Sequence, residues 1–347
     1  MRRTTWGAVP LTVALLFGVS APALAAPPAP VEKCRPTDKR LAELSGLASD
    51  GNRWYGMADG GSRLQVVVLK PDCKVERVLT NATDPFDVED LARTPDGVLW
   101  LADTGDNGHK RANVALHALQ PNGKATLYRL TYPDGAHDAE AVLFDREGVP
   151  HIVTKEPFLA AGIYRPAKGL ASPGPTPLEK VGTVRLKTTS TPGGPVGGIG
   201  SVLVTGGAVS HDGTVVALRT YTDAWLYPAP DGDVVAALKR DPVQVPLPNE
   251  AQGEAIAFEP DGTLLSGSET ASGAGKMEPI RAVPGAAQLV APPPAPPSSA
   301  TSAGGGGQAS GQPAEGGGSN TGVVVVLALV GGLGALYLVG RRKKKSA

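Results

Sequence analysis

The chain has 347 residues, 41% of them apolar and 19% charged, and its 33 basic residues balance 33 acidic ones. That length and apolar content suffice for a sizeable core and exclude a wholly disordered polymer. The absence of a basic surplus excludes the electrostatic footprint of a nucleic-acid binder.

Residues 1–25 read as a secretory signal. Arg2 and Arg3 form a basic start, Val9 to Val19 is mostly apolar, and Ala23-Leu24-Ala25 fits a small-residue cleavage site. The apolar run is short and Pro10 and Pro22 interrupt it, which favours cleavage over anchoring. With this leader and the basic C-terminal tail set aside, the exported part carries a net charge of about −7. Nucleic acid and anionic lipid are poor partners for such a surface. Cys34 and Cys73 are the two cysteines, and export into an oxidising compartment predicts one disulfide between them. Cys73 reads as part of the outer hairpin of the first repeat and Cys34 as part of the N-terminal lead, so the bridge would staple the lead to the repeat's rim. Two thiolates alone do not complete a metal site.

From Glu43 to Gly267 one phrase recurs: an acidic residue and Gly at a tight turn, flanked by short apolar runs. The turns are Asp50-Gly51, Asp96-Gly97, Glu147-Gly148, Asp212-Gly213 and Asp261-Gly262, about 46 to 65 residues apart. Each pair of flanking runs is a strand–turn–strand signature, and a second hairpin follows in the same unit, most clearly at Val114 to Tyr132 around Pro121-Asn122-Gly123. Four strands per repeat predict an all-β fold, a β-propeller over residues 26–290. Five units of about 50 residues fill this domain, which favours five blades; six remain open because residues 188–204, in the longest gap, could add strands, although their Gly and Pro content reads as a loop. The turn acids read as structural, because hairpin turns favour Asp and Gly for backbone reasons. Trp54, Trp100 and Trp225 read as packing between blades.

Counting back from the turns places glutamate at the start of three first strands: Glu89, Glu140 and Glu254. The fourth repeat has Thr205 there. In the first, matching Leu47-Ala48 to Leu91-Ala92 puts Ser45 rather than Glu43 at that place. Such strands line a propeller's central channel, so the three carboxylates would meet at one mouth, where they repel unless a cation or ordered water compensates. Calcium suits an all-oxygen set. Asp103 and Asp106, within Asp103-Thr104-Gly105-Asp106-Asn107, form the richest further oxygen cluster; the alternative is a loop whose side chains bond nearby amides. No nucleophile elbow, zinc-protease motif, phosphate loop or dinucleotide fingerprint is present. His137, beside Asp138 and Glu140, is the one candidate general base; His109, His117, His151 and His211 read as structural.

The phrases Asp87-Val88-Glu89-Asp90-Leu91-Ala92, Leu99 to Asn107 and Gly253 to Gly262 resemble those of exported bacterial propellers of actinobacterial type, in the phytase-like, esterase-like and NHL-type groups. The resemblance covers most of residues 40 to 290. It implies Glu89, Glu140 and Glu254 as channel-facing acids with Asp103 and Asp106 nearby, in groups that range from calcium-dependent hydrolases to binding modules. Thr205 departs from the pattern, as do five clear units where these groups have six.

Residues 291–321 turn to Pro, then Gly, Ser and Gln, the composition of a flexible tether with a reach on the order of 30 Å. Residues 322–340 lack any charge and are long enough to span a bilayer as one helix. The basic run Arg341 to Lys345 in the tail, residues 341–347, puts the C-terminus in the cytoplasm and the propeller outside, a single-pass membrane protein. This layout is similar to that of sortase-anchored proteins, but Gly318-Ser319-Asn320-Thr321-Gly322 lacks the Leu-Pro of their sorting motif, which favours retention in the membrane. Two functions follow as expectations. The first is a module binding an extracellular ligand or protein, with no nucleic-acid partner. The alternative is a calcium-dependent hydrolase of an ester, lactone or phosphoester at the channel mouth.

Overall fold

The computed structural model describes residues 27–271 and 276–290. The expected signal peptide, tether, membrane helix and cytoplasmic tail lie outside the described residues. Among the described residues no helix is long and apolar enough to cross a membrane.

Twenty short strands build the fold. In chain order β1 is Val31–Cys34, and β2 to β5 are Leu44–Ser49, Trp54–Ala58, Leu64–Leu69 and Val75–Asn81. β6 to β9 are Asp90–Arg93, Leu99–Asp103, Val114–Leu119 and Ala125–Thr131. β10 to β13 are Ala139–Phe144, Pro150–Thr154, Ala161–Pro166 and Thr176–Val184. β14 to β17 are Val204–Val209, Val215–Thr220, Asp223–Pro228 and Val243–Pro246, and β18 to β20 are Gln252–Phe258, Leu264–Glu269 and Ile280–Val283.

Consecutive strands pair antiparallel as hairpins, and the strand orders are β2-β3-β4-β5, β14-β15-β16-β17, β1-β20-β19-β18 and one eight-stranded sheet, β10-β11-β12-β13-β9-β8-β7-β6. The eight-stranded sheet is held at its middle by a short parallel contact, Thr176↔Leu130 and Pro177↔Thr131. Two antiparallel meanders therefore touch there at their outer strands. The free-edged strands β2, β6, β10, β14 and β18 pack side by side in a closed ring. This is a propeller-type arrangement, with the inner strands around a central channel. Residues 185–203 contain no strand, only a one-turn helix at Gly197–Ser201.

The local chemistry explains the meanders. The turn glycines Gly51, Gly97, Gly148, Gly213 and Gly262 all have positive φ, between 69° and 87°. Most of the expected turn acids cap their own turns: Asp50 accepts from the amides of Asn52 and Arg53, Asp212 from Thr214 and Asp261 from Thr263. In the third repeat Asp145 takes over this work from Glu147, accepting from Val149 N at 2.8 Å.

Each apolar cluster is shared by two neighbouring meanders. Leu91, Leu99 and Leu101 pack with Val66, Val68 and Tyr55, for example, and Ala255, Ala257 and Leu265 pack with Leu44, Leu47 and Trp54. That last cluster joins the end of the chain to its beginning. β1 makes the same closure by hydrogen bonds, pairing with β20 as the outer strand of the last sheet. The expected Cys34–Cys73 disulfide is present, with Cα atoms 5.8 Å apart. It runs from β1 to the β4–β5 turn, so it ties the last sheet to the first.

Candidate functional site

Each inner strand is irregular near its first residues. The register shifts between Leu44 and Gly46, Ala139 and Ala141, Val204 and Gly206, and Gly253 and Ile256. In β6 the amide of Glu89 bonds Ala102 O, the residue that also pairs with Asp90. The extra residues are Ser45, Glu89, Glu140, Thr205 and Glu254, one per inner strand. A bulge re-aims its side chain and often sits beside a functional site. The two hydroxyls staple neighbouring strands, Ser45 Oγ donating to Glu89 O at 2.7 Å and Thr205 Oγ1 to Gly253 O at 2.9 Å. The three glutamates remain as charges at the same level.

Glu89 and Glu140 meet Asp138 there, and a carboxylate oxygen of each lies within 4.8 Å of the others. All three residues are buried, as is Glu254. Asp138 stands just before β10 and the bulge at Glu140 brings the two carboxylates together; it is not among the ligands expected from the sequence. Lys155 caps the group, its Nζ 2.6 Å from Glu140 Oε1 and 5.1 Å from the centre of the Tyr221 ring. Burial pushes the Glu140 carboxyl up to about 8, and the charges of Asp138 and Glu254 add to this against the pull of Lys155. Glu140 Oε2 and Glu254 Oε2 are buried with no hydrogen-bond partner among the described residues, while Gln252 donates to Glu254 Oε1 at 3.0 Å. The loop after β7 presses on the group: a Cβ at Gly105 would lie 2.1 Å from Glu89 Oε1 and 2.6 Å from Asp87 Oδ2. Glu89, Asp138 and Glu140, with Glu254 beside them, form an all-oxygen set suited to a hard cation such as calcium.

Asp103 ends β7 and Asp106 lies in that covering loop, and their carboxylates are engaged elsewhere. Asp103 accepts from the amides of Phe86 and Asp87, faces His117 Nε2 at 3.2 Å and pairs with Arg111 at 2.9 Å. Burial opposes its ionisation, but the His117 bond, the Arg111 charge and the two amides outweigh it and hold the carboxyl at about 2. Asp106 Oδ2 accepts from the amides of Lys110 and Arg111, and its own amide donates to Asp138 Oδ1 at 2.7 Å. Asp106 thus orients Asp138 through the backbone. His137 sits apart from the carboxylate group, its Nε2 3.0 Å from both Asp134 Oδ1 and Tyr164 Oη, within an aromatic set completed by Tyr132.

The channel is closed part-way by Asp90, which is fully buried. Its Oδ2 accepts from Val142 N at 2.8 Å and Gly207 N at 3.2 Å, and its Oδ1 from Leu91 N at 2.8 Å. One carboxyl thus ties three inner strands together. Beyond this waist the channel opens toward the Asp-Gly turns as a cavity of about 1160 Å³.

No protein-family model and no curated protein matches the chain. Several solved propeller-type structures resemble it distantly. A gluconolactonase from Xanthomonas campestris is 15% identical, with 76% of this chain and 99% of that one covered and a TM-score of 0.40. Virginiamycin B lyase from Staphylococcus aureus is 11% identical over 68% of this chain and 66% of that one, with a TM-score of 0.35. A glucose dehydrogenase is 10% identical over 74% and 99%, with a TM-score of 0.42. Likenesses this distant carry nothing about activity, and the propeller arrangement rests on the strand pairing itself.

Proposed function

We propose that the chain is an exported, membrane-anchored propeller of five blades that holds a divalent cation, calcium by its donor set, at one mouth of its channel and serves as a binding module outside the cell. The blade count follows from reading the eight-stranded sheet as two meanders joined by their outer strands. One observation carries the cation: Glu140 and Glu254 each bury a carboxylate oxygen with no hydrogen-bond partner among the described residues, beside Asp138 and Glu89 and the Lys155 ammonium. Buried charge of that kind destabilises a fold unless it is compensated. Glu89, Asp138, Glu140 and Glu254 would hold the ion, which would supply charge compensation and polarise any oxygen ligand that reached it.

The end of the domain supports the display role. The last turn, Ala287–Leu289, packs on the Asp261-Gly262 turn through Ala287 N to Gly262 O at 3.0 Å. Residue 290, from which the proposed tether leaves, therefore lies at the end of the channel opposite the carboxylates.

Thermal unfolding with calcium and then with chelator tests this reading. A hundredfold excess over Kd would add about 2.7 kcal/mol, a shift of several degrees for a domain of this size. The triple variant Glu89→Gln, Glu140→Gln, Glu254→Gln should lose the response. Identical melting of the wild type in both conditions would remove the cation from the proposal.

A second reading rests on the Glu140–Lys155 pair. A carboxyl titrating near 8 is an acid at neutral pH beside an ammonium, a pairing able to deliver a proton to a leaving oxygen of an ester, lactone or phosphoester. Turnover of phenyl acetate or a γ-lactone that is lost in Glu140→Gln would establish the hydrolase; ligand binding without turnover would establish the module.

A further inference from the structure

We propose that the turn-side half of the channel, beyond the Asp90 waist, is a second ligand site and that its ligand is a neutral oligosaccharide. The cavity there is about 1160 Å³, at or above the upper end of the usual range of small-molecule sites, roughly 300–1,000 Å³. It is a pocket rather than a pore, because Val142 and Gly207, whose amides bond Asp90, lie in its floor.

Its wall combines two kinds of surface. Trp100 and Phe144, both half-buried, stand side by side with ring centres 5.0 Å apart and planes tilted by 42°, and each offers an aromatic face to the cavity wall. Around them are planar polar groups with bonding capacity to spare. Asn52 and Glu147 are exposed on the rim, and the Arg93 guanidinium, set over the Tyr55 ring at 5.7 Å, lines the wall. Asp50 and Asp212 are already engaged by their own turns. The inner strands, each the last in its sheet, also turn one backbone edge toward the channel, where Asp90 takes up the amides of Leu91, Val142 and Gly207.

The chemistry of that lining selects the ligand class. Arg93, Arg146 and Glu147 put both signs of charge on one lining, so neither a polyanion nor a polycation is favoured across it. A ligand that suits all of it needs a flat apolar face for the aromatic pair and many hydroxyls, each both donor and acceptor, for the planar groups and strand edges. A pyranose has this construction, and the volume accommodates more than one ring. The site lies at the opposite end of the channel from the carboxylate group and stands independently of the proposed cation.

Titration calorimetry on the full-length protein in a sugar-free detergent tests the assignment, with maltotriose, cellotriose and chitotriose as probes and trigalacturonate and trilysine as charged comparators. At least one neutral trisaccharide should bind saturably and change the tryptophan emission. Trp100→Ala should weaken binding roughly tenfold or more, about 1.4 kcal/mol. Asn52→Ala, on the exposed rim, guards against misfolding of the first variant and should also weaken it. Arg165→Ala, an exposed residue of β12 outside the cavity lining, should leave the affinity unchanged. The proposal is overturned if folded protein binds none of the neutral probes, if a charged comparator binds instead, or if affinity survives both rim and wall substitutions.

Discussion

At the scale of single residues, the channel is governed by carboxyl groups whose surroundings are already committed. Asp90 shows the balance most clearly. Burial raises its carboxyl to about 7, although the amides of Val142, Leu91 and Gly207 all favour the ionised form. In the unfolded chain the same group titrates near its ordinary value of 3.8. Between those values the folded protein binds the extra proton, so the stabilisation is whole below the unfolded value and is lost as pH rises through about 7. Glu140, raised to about 8, acts in the same direction. The melting temperature should therefore fall between pH 5 and pH 8, and Asp90→Asn should fall less steeply; equal slopes would show that Asp90 does not titrate in this range. Lys155 supplies the second residue-scale prediction. Lys155→Met removes the ammonium beside Glu140 and leaves buried acid uncompensated, a loss of about 3–5 kcal/mol in urea unfolding. If the proposed cation is correct, calcium should restore part of that loss.

At the scale of elements, the repeated hairpins were legible because each turn carries its own instruction, an Asp cap and a Gly at positive φ. Counting from those turns also found Glu89, Glu140 and Glu254, and placed Ser45 rather than Glu43 at the matching position, where the structure has the bulge. What escaped the sequence depends on contacts between distant segments. Lys155 reaches Glu140 from the end of the neighbouring strand, and nothing local announces it. Asp103 and Asp106 share the composition of a ligand loop, yet Arg111, His117 and backbone amides engage them first. Trp100, read as packing, does pack on Tyr128 and Phe144 but also faces the turn-side cavity. Two of the five bulges, at Ser45 and Thr205, are followed by glycine, where the next inner strand approaches closely. A Cβ on Gly206 would lie 2.4 Å from the backbone oxygen of Glu254 in the next inner strand. Gly206→Ala should force those strands apart at a cost of about 1–3 kcal/mol, measurable as a lower denaturation midpoint at unchanged slope.

At the scale of the whole molecule, a ring of sheets has a weak point wherever its two chain ends meet, because that junction lacks covalent continuity. Here the junction is closed three ways. Leu44, Leu47 and Trp54 pack against Ala255, Ala257 and Leu265, β1 pairs with β20, and Cys34 is bonded to Cys73. The pairing of β1 is short and one of its registers shifts at Glu32 to Cys34, so the disulfide carries much of the closure. The bridge spans 39 residues of sequence, and loop-closure entropy for that length gives about 4 kcal/mol. A Cys34→Ser, Cys73→Ser variant should lose stability of that order. The loss should be local before it is global: amide exchange should quicken in β1, β20 and the β4–β5 turn while the inner strands stay protected, since local opening follows the least-supported element. Uniform acceleration across all the sheets would instead mean that the ring opens as one cooperative unit, and unchanged exchange in β1 would assign the closure to the apolar junction alone.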